Sequence, residues 1–67
     1  MEITTMEKLR RERGMTRAEL ARRACVQPNL ITWVEQGRFV PYESQLEKLA
    51  GALGVDDPGT LLDRVEV

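Results

Sequence analysis

Gln27, Asn29 and Thr32 fall within six residues and bring together two carboxamides and a hydroxyl, groups that both give and accept hydrogen bonds. Arg17 and Arg38 bracket that segment. A side-chain amide pairs bidentately with an adenine edge, a threonine methyl meets a thymine methyl, and a guanidinium grips phosphate. Catalytic chemistry has no such material. The chain has no histidine, one cysteine (Cys25) and one serine (Ser44), so no Ser-His-Asp or Cys-His nucleophile and no Cys/His zinc site can be assembled. The residues point to a protein that is not an enzyme and needs no metal or cofactor.

Two short helices must position these groups. Over residues 16–37, Leu20, Ala21 and Ala24 line the inner face of one, and Val26, Ile31 and Val34 that of the next. A tight break separates them, and Ala21 is small where the two would cross. This is the pattern of a helix-turn-helix, over residues 16–36, whose second helix (28–35) is shaped to lie in a DNA major groove. With Ile31 and Val34 inward, Pro28, Asn29, Thr32 and Trp33 fall on the opposite face, with Gln27 at its tip. Leu30 reads as half-buried packing.

The punctuation around this pair predicts the rest. Thr4 with Glu7, and Thr16 with Glu19, are capping-box patterns that open helices one and two. Ile3, Met6 and Leu9 form the inner side of helix one, and Gly14 ends it. Pro28 suits the first position of helix three, where a missing N–H is harmless, and Gly37 closes that helix. Leu46, Leu49, Ala50 and Leu53 give helix four its stripe over 43–53, ended by Gly54. Asp57-Pro58 opens a last short helix carrying Leu61, Leu62 and Val65. No segment alternates like a strand. The reading is an all-α, compact five-helix bundle, one domain over 1–67 with its core in about 3–65.

Sixty-seven residues lie near the small end of what folds alone. Net charge is −1, yet unevenly placed. Residues 1–40 carry eight basic and five acidic side chains, net +3, whereas 41–67 carry two against six, net −4. The basic half holds the helix-turn-helix, and the acidic half lowers non-specific affinity for polyphosphate. No apolar run approaches the roughly 20 residues that span a bilayer, and no signal peptide opens the chain. With the lone Cys25, which has no internal partner for a disulfide, this predicts a cytoplasmic, nucleoid-associated protein.

The run Leu9-Arg10-x-x-x-Gly14-Met15-Thr16-x-x-x-Leu20-Ala21, then Ile31-Thr32-x-Val34-Glu35-x-Gly37-Arg38, Pro41, and Leu49-Ala50-x-Ala52-Leu53-Gly54-Val55 resembles the Cro/C1-type (XRE family) helix-turn-helix domain, with its lambda repressor-like fold. That resemblance implies a transcriptional regulator of bacterial or phage type that binds double-stranded DNA at an inverted-repeat operator, usually as a homodimer. It assigns base reading to Gln27, Pro28, Asn29, Thr32 and Trp33. It makes Arg10 and Glu35 a partly buried structural ion pair between helices one and three.

Phosphate contacts fall to Arg17, Arg38 and the hydroxyl of Tyr42, with Asn29 placed for either phosphate or base. Arg17 opens helix two, where the family usually has Gln, so a cation and backbone N–H groups can share one phosphate. Three further positions depart from the family pattern. Cys25 stands in the turn where Gly is usual, Gln27 replaces the customary Ser or Thr cap of helix three, and Tyr42 replaces that of helix four. Each residue also has a plainer reading. Gln27 and Asn29 suit any polar helix start, Pro28 serves initiation, and Cys25 is a small turn residue before it is a redox sensor.

Trp33 is unusual on a face that reads bases. It can press on a thymine methyl or a sugar edge, fold back over helix two or four, or anchor a protein partner. The last option defines the rival reading, a protein-interaction module that keeps the fold without a DNA role. The apolar residues of helix five, more than so small a domain would cover alone, predict dimerisation through the C-terminal region.

Overall fold

The computed structural model describes residues 1–67. Strand β1 (Glu2–Thr4) leads into α1 (Thr5–Glu12), α2 (Arg17–Ala24), α3 (Pro28–Glu35) and α4 (Glu43–Leu53), followed by a 3₁₀ turn (Pro58–Leu62) and strand β2 (Arg64–Glu66). Met6, Leu20, Ile31, Leu49, Leu53 and Leu61 are fully enclosed, one or more from each helix and one from the 3₁₀ turn. Helix α2 sits centrally, packed on both α3 and α4, and α4 packs in turn on the 3₁₀ turn. No helix is long and apolar enough to cross a membrane.

All four helices end alike. The backbone N–H of Met15 reaches the carbonyl of Arg10 (3.1 Å), Val26 that of Ala21 (2.9 Å), Arg38 that of Trp33 (2.8 Å) and Val55 that of Ala50 (2.9 Å). Each is the long hydrogen bond of a Schellman motif, which requires a left-handed residue just before its donor. Gly14, Gly37 and Gly54 occupy three of those positions, and Cys25, with φ 58°, occupies the fourth. Cys25 is the one residue with a side chain at positive φ, a conformation in which the Cβ crowds the following carbonyl. The break between α2 and α3 is therefore strained at a position where the other three helix ends use glycine.

The helix starts differ in detail from the capping-box expectation. Thr4 Oγ1 accepts from the Glu7 N–H (3.1 Å) and Thr16 Oγ1 from the Glu19 N–H (3.0 Å). The glutamates do not return the bond; they turn to Arg11 and Arg23, one helical turn on. An i,i+4 arginine competes for the carboxylate that the box would use. Gln27 makes no capping bond. Helix α4 keeps half of its cap by another route, as the Tyr42 N–H donates to Gln45 Oε1 at 2.8 Å.

The fold is mostly helical, as expected, but its α-helices number four and not five, and a short two-stranded pair accompanies them. The segment expected as helix five is a single 3₁₀ turn of Pro58–Leu62, and Val65 lies in β2. Asp57 Oδ1 accepts from the Gly59 N–H and the Thr60 hydroxyl donates to the Asp57 carbonyl, which tightens the turn, and Asp63 is already extended. Pro, Gly and Thr in a five-residue run do not support an α-helix. The chain then runs antiparallel to its own start, pairing Glu2 with Glu66, Ile3 with Val65 and Thr4 with Arg64. Ile3 thus belongs to β1 and not to helix one.

This closure removes the argument for a C-terminal dimer surface. Leu61 is fully buried, Leu62 and Val65 are half-covered, and the Val65 strand is paired within the chain. The large apolar side chains left exposed are Met1, Trp33, Val40, Tyr42 and Val67.

Candidate nucleic-acid interface

Helix α3 is held by its inner residues and leaves a polar face outside. Leu30, Ile31, Val34 and Glu35 are buried, so Leu30 belongs to the core and is not half-buried. Gln27, Pro28 and Asn29 are exposed at the N-terminal end, Thr32 is partly covered, and Trp33 is 44% exposed. At 100° per residue Gln36 continues that outer stripe, and it too is exposed. The sequence reading stopped at the helix end and missed this amide, although the spacing from Thr32 would have flagged it.

Trp33 does not fold away over the core. Together with Pro28, Leu30 and Phe39 it forms one side of an open groove of about 650 Å³, whose other side carries Gln45 and Lys48 of α4. Cys25, Val26 and Gln27 complete the groove. Gln27 and Pro28 therefore share one concave surface with the exposed indole, whereas Asn29 and Thr32 do not line it.

The cations are sorted by their partners. Arg10 is turned inward, with its side chain 10% exposed. Its Nε donates to Glu35 Oε2 at 2.8 Å, its Nη2 to Glu35 Oε1 at 3.3 Å, and its Nη1 to the Met15 carbonyl at 2.9 Å. Arg17 also reaches Glu35, with Nε donating to Oε1 at 2.8 Å. The sequence places Arg17 as a cation at the start of α2, and the structure adds a carboxylate partner. Its side chain remains 44% exposed, while that of Glu35 is 1% exposed. The first backbone N–H groups of α2, on Arg17 and Ala18, have no acceptor within the protein.

Arg38 follows Gly37 at the end of α3, exposed and in no ion pair. Tyr42 is exposed and its ring meets Phe39 edge to face, with centroids 6.1 Å apart. Two further cations were not foreseen. Lys48 lines the groove and forms no ion pair. Arg64 comes back with β2 against the end of α3, where a β-carbon on Gly37 would meet its Nη2 at 2.9 Å. Twenty-seven positions separate Arg64 from Gly37, and no local pattern announces the contact. A cation at that end also faces the negative pole of α3.

An outward polar helix, arginines gathered at its C-terminal end and a left-handed turn before it are also what the similarity to known proteins leads one to expect. The family model of the helix-turn-helix domain matches residues 4–64. The chain belongs to the helix-turn-helix domain family. That assignment is consistent with the Cro/C1-type resemblance of its motifs. Among curated proteins it is similar to the multiprotein-bridging factor 1 of Candida albicans (strain SC5314), with 40% identity over 50 residues. The match covers 75% of this chain and 33% of the relative, so this helix-turn-helix domain spans about a third of the length of the curated protein it matches. No solved structure matches it.

Proposed function

We propose that this helix-turn-helix domain is a sequence-specific double-stranded DNA-binding regulator of transcription, with α3 in the major groove. The observation that carries this reading is the outer face of α3: Gln27, Asn29 and Thr32 present amides and a hydroxyl from a helix whose other face is locked in the core. Arg17 at the start of α2 and Arg38 after α3 set the position on the backbone, with Tyr42 adding a hydroxyl. Phosphate contacts of this kind fix register without carrying sequence information, and the amides then discriminate bases. Pro28 shapes the helix start and lets it approach the groove floor.

The motifs of Cro/C1 type support a bacterial or phage-type regulator acting as a homodimer on an inverted repeat. With helix five replaced by an internally paired strand, the two-fold arrangement rests on that resemblance alone. In it, the two half-sites lie about one helical turn, roughly 34 Å, apart. Repeated selection of bound duplexes from a random pool tests the whole reading. Enrichment of a symmetric motif with half-sites at that spacing is expected; a recovered pool as random as the input overturns it.

A second reading is favoured by a specific observation, the exposed Trp33 in its groove. Trp is enriched at the buried centres of protein interfaces. The Candida albicans relative is named a multiprotein-bridging factor, which supports a role in joining proteins, in addition to DNA or in place of it.

A further inference from the structure

We propose that Glu35 positions Arg17 for phosphate, so that the backbone contact and the recognition helix are set by one buried carboxylate. The inference rests on the DNA-binding reading and adds to it a residue that would not itself touch DNA.

Three features carry it. The first is which atoms Arg17 uses. Only its Nε is engaged, on Glu35 Oε1 at 2.8 Å, and its two terminal nitrogens donate to nothing in the protein. A guanidinium held at Nε keeps its parallel pair of terminal donors free, which is the edge that meets a phosphate bidentately. The second is charge. Arg10 already holds Glu35 through both carboxylate oxygens from a nearly buried position. Arg17 is thus the surplus cation of a two-to-one cluster, oriented by the carboxylate without being neutralised by it. Arg10, with three nitrogens used internally, is closed to solvent and left with no such role.

The third feature is position. Glu35 is the last residue of α3 and Arg17 the first of α2. The unpaired N–H groups of Arg17 and Ala18 lie in the same turn as the oriented fork. A phosphate taken there is tied through Nε and the carboxylate to the end of the helix that reads bases. Pre-orientation of a long side chain removes part of the entropy cost of binding. A lysine at position 17 would keep the charge but lose the Nε contact and the fork.

The test compares the wild type, Arg17→Ala, Arg17→Lys, Glu35→Gln and the Arg17→Ala/Glu35→Gln double variant. The probe is a mixed-sequence 30-bp duplex titrated across a salt series. Arg17→Ala is expected to weaken binding about tenfold at low salt and to flatten the log–log salt slope by about 1, as loss of one phosphate contact does. Arg17→Lys should recover the slope but not the affinity. In the Glu35→Gln background, Arg17→Ala should cost markedly less, because the fork is no longer held.

An Arg17→Ala effect of equal size in both backgrounds, or full recovery of affinity by Arg17→Lys, overturns the positioning role while leaving the phosphate contact standing. No change in affinity or slope for Arg17→Ala in the wild type would instead remove the phosphate contact itself. Should Glu35→Gln fail to fold by circular dichroism, the Ala and Lys variants at 17 decide the matter, because they leave the Arg10–Glu35 pair intact.

Discussion

Arg10 and Glu35 join helix α1 to the last residue of α3 through two hydrogen bonds of 2.8 and 3.3 Å, with both side chains nearly excluded from water. Removing one partner leaves a buried guanidinium without its counter-charge. Glu35→Ala is therefore expected to cost about 3 kcal/mol in a urea unfolding midpoint. A loss of about 1 kcal/mol or less would mean that water screens the pair as it does an exposed one. Because Arg17 shares the same carboxylate, Arg17→Ala should cost far less than Glu35→Ala: its side chain is half in solvent and leaves the buried pair whole.

Cys25 holds a left-handed backbone at φ 58° and ψ 43° to end α2. Relief of that strain should make Cys25→Gly more stable by about 1 kcal/mol, less a part returned to the more flexible unfolded chain. For a domain of this size that is a rise in Tm of roughly 4 °C. Cys25→Ala keeps a β-carbon and should stay near the wild type in the same scan. Equal melting of all three would show that the turn relaxes around any residue.

The pairing of the two ends has its own test. Ile3 is buried and lies opposite Val65 across the β1–β2 pair. Ile3→Ala should cost about 3 kcal/mol, the usual range for a buried aliphatic truncation. Val65→Ala, at a half-covered position, should cost nearer 1 kcal/mol, and the two losses should not add, because the residues are direct neighbours. If the ends fray in solution, both variants will unfold at the wild-type midpoint.

What could be read from the sequence divides along the reach of the interactions. Caps and stops act over four or five residues, so Thr4, Thr16, Gly14, Gly37 and Gly54 mark their helices, and α4 runs from Glu43 to Leu53 as its stripe predicts. Strands of three residues are too short to show alternation, and β1 and β2 pair only because the fold brings the two ends of the chain together. The outer face of α3 follows from periodicity because Ile31 and Val34 fix its rotation. The Arg17–Glu35 contact and the return of Arg64 to Gly37 span distant segments, and only the packed structure joins them. Family pattern brought Arg10 and Glu35 together, where periodicity alone had no means to do so.

Arg38 and Asn29 separate the two kinds of contact that the interface offers. Arg38 is exposed and unpaired beyond the end of α3, so Arg38→Ala should weaken cognate and unrelated duplexes by a similar factor and flatten the salt slope by about 1. Asn29→Ala should cost roughly 1–3 kcal/mol on the selected duplex alone and relax discrimination at one base pair. Equal losses from Asn29→Ala on every duplex would move Asn29 from base reading to phosphate.

Trp33 decides between the two functional readings, because it is the protein's single tryptophan and is 44% exposed beside the positions proposed to read bases. Its indole shares a groove with Gln27 and Pro28, so a duplex seated on α3 must alter its surroundings. Titration with the selected duplex is expected to shift or quench its emission, with a midpoint that moves to weaker binding as salt rises. Trp33→Phe should retain most of the affinity if the ring supplies only apolar contact with a thymine methyl or sugar. An interface anchor behaves differently: Trp33→Ala would abolish capture of a protein partner while leaving the salt-dependent affinity for DNA unchanged. Failure of random duplexes to yield any enriched sequence at low salt, together with an emission shift on adding a defined protein partner, would transfer the groove and its tryptophan from DNA recognition to bridging.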